Sequence, residues 1–260
     1  MGTPFRAPDV TGYLRAASRA ETIWGMPPAS RAVAAVIALA AALLLLAGCD
    51  ALGKVGAGEH YPPARNFTVS ARVTAVVING GSGSVDVTGS ARSTVSVSQQ
   101  ASYSKTPPAA THVLHGTTLT VSYSCPVQVV CGVSYEVQVP LGVAVSVSTG
   151  AGAVTLTSLA GTVSARADAG LVTAVDLRCA VATFKSNAGG VVATFSAAPR
   201  SLTATTNVGP ITLTVPGSVA YRLSTHTFVG TSTVTVHRSS SSAHSISASS
   251  DLGSISINPA

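Results

Sequence analysis

The sequence predicts an all-β fold: a single-stranded, right-handed β-solenoid-like stack of short strands, preceded by a signal helix. A two-sheet β-sandwich is the structural rival. Three observations carry the prediction. Period-2 alternation of valine, threonine and serine runs almost unbroken from Phe67 to the end of the chain. A glycine followed two residues later by a β-branched residue recurs about every 20 residues. Long helical periodicity is missing after Cys49. Threonine and valine favour strands, and a fixed period near 20 with two strands per unit is how a stacked coil reads.

The first element is an export signal. Arg31 precedes an apolar run from Ala32 to Ala47, which ends in Leu46-Ala47-Gly48-Cys49. A positive flank, an apolar core and small residues before a cut are its parts. A cysteine directly after the cut resembles the lipobox of bacterial lipoproteins, where the thiol is diacylated. The rival is an uncleaved spanning helix, which needs about 20 apolar residues. The run from Ala32 to Ala47 is shorter, and a spanning helix has no reason to end small-small-Cys. Residues 1–48 therefore read as an N-terminal extension plus signal peptide. Translation from Met26 would give a conventional signal; translation from Met1 would place Arg6, Asp9, Arg15, Arg19, Glu21 and Trp24 ahead of it.

Residues 49–66 read as a lipid-anchored tether, with Gly53, Gly56, Gly58, Pro62 and Pro63 and little apolar pattern. From residue 67 to residue 260 the chain reads as one β domain. Val73 to Ile78 leads through Asn79-Gly80-Gly81, a tight-turn signal, into Ser84 to Val87. Val95 to Ser98 follows. Beyond Pro107 and Pro108, Leu119, Val121, Tyr123 and Cys125 share one face of a strand.

The repeat proper reads Gly152-Ala-Val, Gly170-Leu-Val, Gly190-Val-Val, Gly209-Pro-Ile, Gly230-Thr-Ser and Gly253-Ser-Ile, with an earlier echo at Gly83-Ser-Val. Second strands lie between the copies, at Val163–Ala165, Val181–Thr183, Leu202–Ala204 and Tyr221–Leu223. Each coil offers too few inward side chains to fold alone, so neighbours must stack to close a core. Glycine suits the corner because it reaches positive φ without a Cβ penalty.

Composition and motifs narrow the chemistry. After Cys49 the chain carries eleven Lys and Arg against seven Asp and Glu, a net charge of about +4. The basic residues are scattered singly, whereas a nucleic-acid surface clusters them or interleaves them with aromatics. No nucleic-acid partner is implied. Outside the cytoplasm Cys125 and Cys131, bracketing five residues, read as a disulfide. Cys179 reads as a buried free thiol.

Two residues before each repeat glycine stand Gly150, Asp168, Ala188, Asn207, Phe228 and Asp251. That column has too few carboxylates for a calcium ladder, so turn-forming Asp and Asn account for it. Asp168 and Asp176, with Arg166, Arg178 and Lys185, are the only acidic pair in the repeats that a carbohydrate-active enzyme could use. Solvated salt-bridging positions are the plainer reading. No nucleophile elbow, phosphate loop or metalloprotease helix is present. No catalytic residue, metal site or cofactor is expected.

Three stretches carry a family likeness: Asn79-Gly-Gly-Ser-Gly-Ser-Val85, Cys131-Gly-Val-Ser-Tyr-Glu-Val-Gln-Val-Pro-Leu-Gly-Val143 and Ser148-Thr-Gly-Ala-Gly-Ala-Val154. Ala198-Pro-Arg200 and Val215-Pro-Gly217 continue it. The order resembles the putative-adhesin β-solenoid family of unknown function, common in actinobacterial lipoproteins. The likeness covers about Phe67 to Asn258 and implies the fold rather than a task. Many relatives carry Asp directly after the repeat glycine, where this chain has Ala153, Leu171, Val191 and Pro210. The expected protein is a non-enzymatic lipoprotein, bound to membrane lipid through acylated Cys49 on the extracytoplasmic face. Its rod would offer a Thr/Ser-rich surface to an envelope protein or polymer. The alternatives are an accessory or sensory module of an envelope stress pathway, which an exposed apolar strip would favour, and a carbohydrate-active enzyme.

Overall fold

The computed structural model of the chain describes residues 59–127 and 130–260. Cys49, the signal segment and most of the tether lie outside the described residues.

Alternation of buried and exposed residues produces strands throughout. The first coils and their additions are β1 (Arg65–Val69), β2 (Ala75–Asn79), β3 (Val85–Ser90), β4 (Val95–Tyr103), β5 (Ala109–His115), β6 (Thr118–Ser124) and β7 (Cys131–Pro140). The repeat then supplies β8 (Ala144–Ala151), β9 (Val154–Thr157), β10 (Val163–Ala169), β11 (Val172–Leu177), β12 (Val181–Ala188) and β13 (Val191–Phe195). It finishes with β14 (Ser201–Val208), β15 (Ile211–Val215), β16 (Arg222–Val229), β17 (Ser232–Val234), β18 (Ser245–Leu252) and β19 (Ile255–Pro259).

These strands form two sheets. The first runs β1-β4-β7-β3-β9-β11-β13-β15-β19-β17 and the second β16-β18-β14-β12-β10-β8-β2-β6-β5. From β8 onward the chain alternates between them, one strand in each per coil, and every repeat pairing is parallel. The fold is thus a solenoid whose coils are flattened into two facing sheets, and it has features of both expected architectures. Among the described strands the antiparallel pairs are β1–β4, β4–β7 and β5–β6.

Asn79-Gly80-Gly81, the tight-turn signal of the sequence, is a coil corner: β2 and β3 lie in different sheets. The coils do not stack in the order of the sequence. The β2–β3 coil sits between β6–β7 and β8–β9, and the last coil, β18–β19, inserts between β14–β15 and β16–β17. Coils with the same inward pattern are interchangeable as neighbours, so register and sequence order part company.

The core is built from columns running across the coils. In the second sheet Leu119, Val76, Val145, Val163, Ala182, Leu202 and Ile246 occupy one inward column, all buried. In the first sheet Val85, Val154, Val172, Val191, Ile211 and Ile255 do the same. Small side chains suffice because each is covered by its own copies above and below, about 4.8 Å away, and by the facing sheet about 10 Å away.

One inward column is polar at every coil from β8 to the end of the stack except β10, where Ala167 stands. Thr149 Oγ1 donates to Gly81 O at 3.1 Å, Ser186 Oγ to Gly170 O at 2.9 Å, and Thr206 Oγ1 to Gly189 O at 3.0 Å. Ser250 Oγ donates to Gly209 O at 3.0 Å and Thr227 Oγ1 to Gly253 O at 2.9 Å. Each hydroxyl satisfies a carbonyl of the corner one coil away, the pairing that a buried polar group needs. The Cys125–Cys131 disulfide joins the end of β6 in one sheet to the start of β7 in the other.

Candidate interaction surface

The corner between the two sheets is built on glycine. Gly83, Gly152, Gly170, Gly189, Gly209 and Gly230 all have φ between +125° and +155°. They stack backbone on backbone: a Cβ at Gly170 would lie 2.1 Å from Gly152 O, and one at Gly189 would lie 2.2 Å from Gly170 O. The stacked residue is therefore Gly189, not the expected Gly190, and the residue two before it is Asn187 rather than Ala188.

This spine holds its neighbours out into solvent. The residues just before it form a register-aligned column, Ala151, Ala169, Ala188, Val208, Leu252 and Val229. All six are exposed, Val208 at 50%, Leu252 at 48% and Val229 at 55%. Leu171 and Pro210 stand exposed on the other side of the spine, and Phe228 is 80% exposed at its end. Together they make an apolar ridge across six coils, about 24 Å between the first and last at the strand spacing. Its bulk increases toward β16.

A polar rim borders the ridge. Asp168, Asn187, Asn207 and Asp251 come from the adjacent coils β10, β12, β14 and β18. Asn187 Nδ2 donates to Asp168 Oδ1 at 2.8 Å, and Arg166 pairs with the same oxygen at 2.6 Å. Lys185 belongs to β12, where it aligns with Arg166. An exposed apolar strip with a hydrogen-bonding rim is the composition of a protein interface.

Asp168 and Asp176 do not converge. Asp168 is on β10 in the second sheet and Asp176 on β11 in the first. Asp176 belongs to a separate cluster at the far corner: Ser158 Oγ donates to its Oδ2 at 3.0 Å and Arg178 Nη2 at 3.2 Å. Its own N–H donates to Thr194 Oγ1 at 3.1 Å. Ser158 and Asp176 both have φ of +54°, and the β11–β13 register slips between Ala174 and Leu177. Asp176 is thus the extra residue of a β-bulge. Hydrogen bonds from Ser196 and Ser158 hold its carboxyl below the usual carboxylate range. The paired-carboxylate groove that glycoside hydrolysis needs is not formed by these two residues.

The outer face of the first sheet differs from the ridge. Thr155, Thr173, Val192, Thr212, Ser256 and Thr233 form one uncharged rank from β9 to β17, which continues to Asp86 and Glu136 on β3 and β7. Threonine fits such a pleated, half-exposed surface for structural reasons alone. Cys179 is fully buried, and burial pushes its thiol up to about 11. Val181, two residues on, is 40% exposed. Among the described residues no group of three or more His, Cys, Asp or Glu is placed to hold a metal ion. Among them, too, no helix is long and apolar enough to cross a membrane.

No protein-family model matches the chain, and no curated protein matches it. Solved structures do. A putative cell adhesion protein from Clostridium sporogenes is 12% identical, with a TM-score of 0.45 over 76% of this chain and 100% of that one. A putative adhesin from Bacteroides fragilis is 14% identical, with a TM-score of 0.40 over 76% and 97%. A putative adhesin from Parabacteroides merdae is 11% identical, with a TM-score of 0.34 over 76% and 96%.

The ridge is partly written in the sequence. The apolar residues Leu171 and Pro210, directly after repeat glycines, are visible in the sequence. The column before the glycines is not, because reading Gly190 as the corner puts Ala188 one position out, and sequence order puts β18 after β16.

Proposed function

We propose that this chain is an envelope lipoprotein, held on the extracytoplasmic face of the membrane by acyl chains on Cys49. Its solenoid is a non-catalytic binding module for a protein partner. The observation that carries this reading is the exposed ridge of Val208, Leu252 and Val229 with Leu171, Pro210 and Phe228. Acyl chains add about 0.8 kcal/mol per buried methylene, and two chains hold a protein stably. The short tether would then keep the ridge within reach of other envelope proteins. A protein partner suits the ridge better than a polymer does, because apolar side chains rimmed by Asp and Asn bury well against another folded surface. The same ridge favours the reading in which the module is the accessory or sensory part of an envelope stress pathway.

Crosslinking in intact cells followed by mass spectrometry tests both halves. The expected result is a mature N-terminal peptide starting at modified Cys49, with adducts concentrated on ridge residues. An unmodified Cys49 within an intact precursor would overturn the anchor. Adducts spread evenly over the threonine face and the ridge would overturn the binding site.

A further inference from the structure

The two ends of the stack are finished in opposite ways. At one end the edge strands are antiparallel additions guarded by proline: Pro62 and Pro63 precede β1, and Pro107 and Pro108 precede β5. Proline cannot donate to a ladder, and it is a common means of stopping sheet edges from pairing. Phe67 of β1 also stacks on His112 of β5 with ring centroids 4.0 Å apart, closing one sheet onto the other.

At the opposite end β16 and β17 are the outermost strands of their sheets. β16 reads Arg222-Leu-Ser-Thr-His-Thr-Phe-Val229, eight residues with no proline and no acidic residue. The Arg222 N–H donates to His244 O, toward β18, at 2.8 Å. By strand alternation Leu223, Thr225 and Thr227 turn their N–H and C=O groups to the open side. Their side chains point into the core but are only half-buried, whereas Ile246, Ala248 and Ser250, one coil in, are buried. Phe228 and Val229 are exposed beside them.

We infer that this end is where two copies of the chain meet tail to tail, β16 pairing antiparallel with β16 of the second copy. The occupant is a second copy because the strand is complementary to itself about a two-fold axis through His226. That axis sets Thr225 against Thr227 of the second copy and Thr227 against its Thr225, both as hydrogen-bonded pairs. The neighbouring segment selects this register. Tyr221 N–H donates to His237 O at 2.9 Å and Ser239 N–H to Tyr221 O at 3.0 Å, so residues 237–239 occupy the edge beside Tyr221. With the axis at His226, the second copy's corner glycine, Gly230, reaches Arg222 and its strand has already turned away. With the axis at Thr225, its Val229 would collide with that segment.

Charge permits the pairing, because the two Arg222 side chains lie eight positions apart along it, about 26 Å. The eight residues of β16 and the three of β17, at about 3.3 Å per residue and about 10 Å of width for each strand, give an end face of about 360 Å² per copy. Two such faces bury about 700 Å², at the low end of interface sizes, so the main-chain hydrogen bonds of the β16 pair carry the association. Head-to-tail growth is blocked by the proline-guarded end, so the assembly closes at two copies.

Disulfide trapping of the full chain in cells tests the inference, with His226→Cys as the probe. Residues opposed at a non-hydrogen-bonded position lie about 4.5 Å apart at Cα, within disulfide range. A band at twice the monomer mass is expected from His226→Cys under mild oxidation, and none from Ser164→Cys in the middle of the same sheet. Adding Thr225→Pro, which removes an edge donor, or Phe228→Lys, on an exposed residue that folding does not need, should cut the trapped fraction several-fold. No dimer from His226→Cys, an equal dimer from Ser164→Cys, or a dimer untouched by both added changes would overturn the pairing. Val208→Asp alters the ridge but not this edge, so it should leave the trapped dimer intact whether or not the ridge binds a partner.

Discussion

Replacing Gly170 with alanine places a methyl group in the tightest part of the glycine spine. At φ +155° the backbone lies in a region that is essentially glycine-only, and holding another residue there costs about 1–3 kcal/mol. The new Cβ would also stand 2.1 Å from Gly152 O, so one coil must move relative to the next. Forcing extra atoms into a packed site costs about 1–3 kcal/mol more. Together the two effects destabilise by about 4 kcal/mol. Gly142→Ala is the control: a Cβ there would meet nothing within 4 Å and the residue has no left-handed φ, so a change of no more than about 1 kcal/mol is expected. Urea denaturation followed by far-ultraviolet circular dichroism reads both. With a slope of about 2–3 kcal/mol/M, Gly170→Ala should lower the midpoint by about 1.3–2 M with the slope unchanged. A Gly170→Ala midpoint matching that of Gly142→Ala would refute the claim that backbone-on-backbone contact sets the corner.

Three further outcomes follow from particular side chains. Tyr135 Oη is buried without a hydrogen-bond partner, so Tyr135→Phe should raise stability by about 1 kcal/mol in the same denaturation assay. Reducing the Cys125–Cys131 disulfide frees a seven-residue loop and should lower stability by about 2.4 kcal/mol on the chain-entropy treatment, measured with and without reductant. Asp176 has a folded-state pKa below its unfolded value, so its stabilising effect is present above the unfolded pKa and lost as pH falls through the folded one. The stability difference between the wild type and Asp176→Asn should therefore be constant at neutral pH and shrink on acidification.

Much of the architecture is legible because a solenoid repeats its physics. The glycine period and the in–out alternation each encode local events, a corner and a half-buried strand, and both are visible in the sequence. Long-range choice does not. The strands β14, β16 and β18 carry compatible inward residues, Leu202, Leu223 and Ile246, and nothing local says that β18 belongs in the middle. Asn187-Ala-Gly-Gly190 offers two glycines for one corner, and only the approach to Gly170 O selects Gly189. Asp168 and Asp176 are eight residues apart in sequence, yet a corner places them on different sheets. The ridge is half visible for the same reason: its identity is local, while its continuity depends on the order of the coils.

The central claim is that the apolar corner binds a protein while the sheet faces serve the fold. A paired comparison of Val208→Asp/Leu252→Asp with Thr173→Asp/Thr212→Asp tests it most directly. Both pairs replace outward residues, and surface substitutions of this kind usually change stability by less than about 0.5 kcal/mol each. Using the partner identified by crosslinking in cells, the ridge pair should lose capture by at least 10-fold while the threonine pair keeps it. Loss with the threonine pair and retention with the ridge pair would contradict the account.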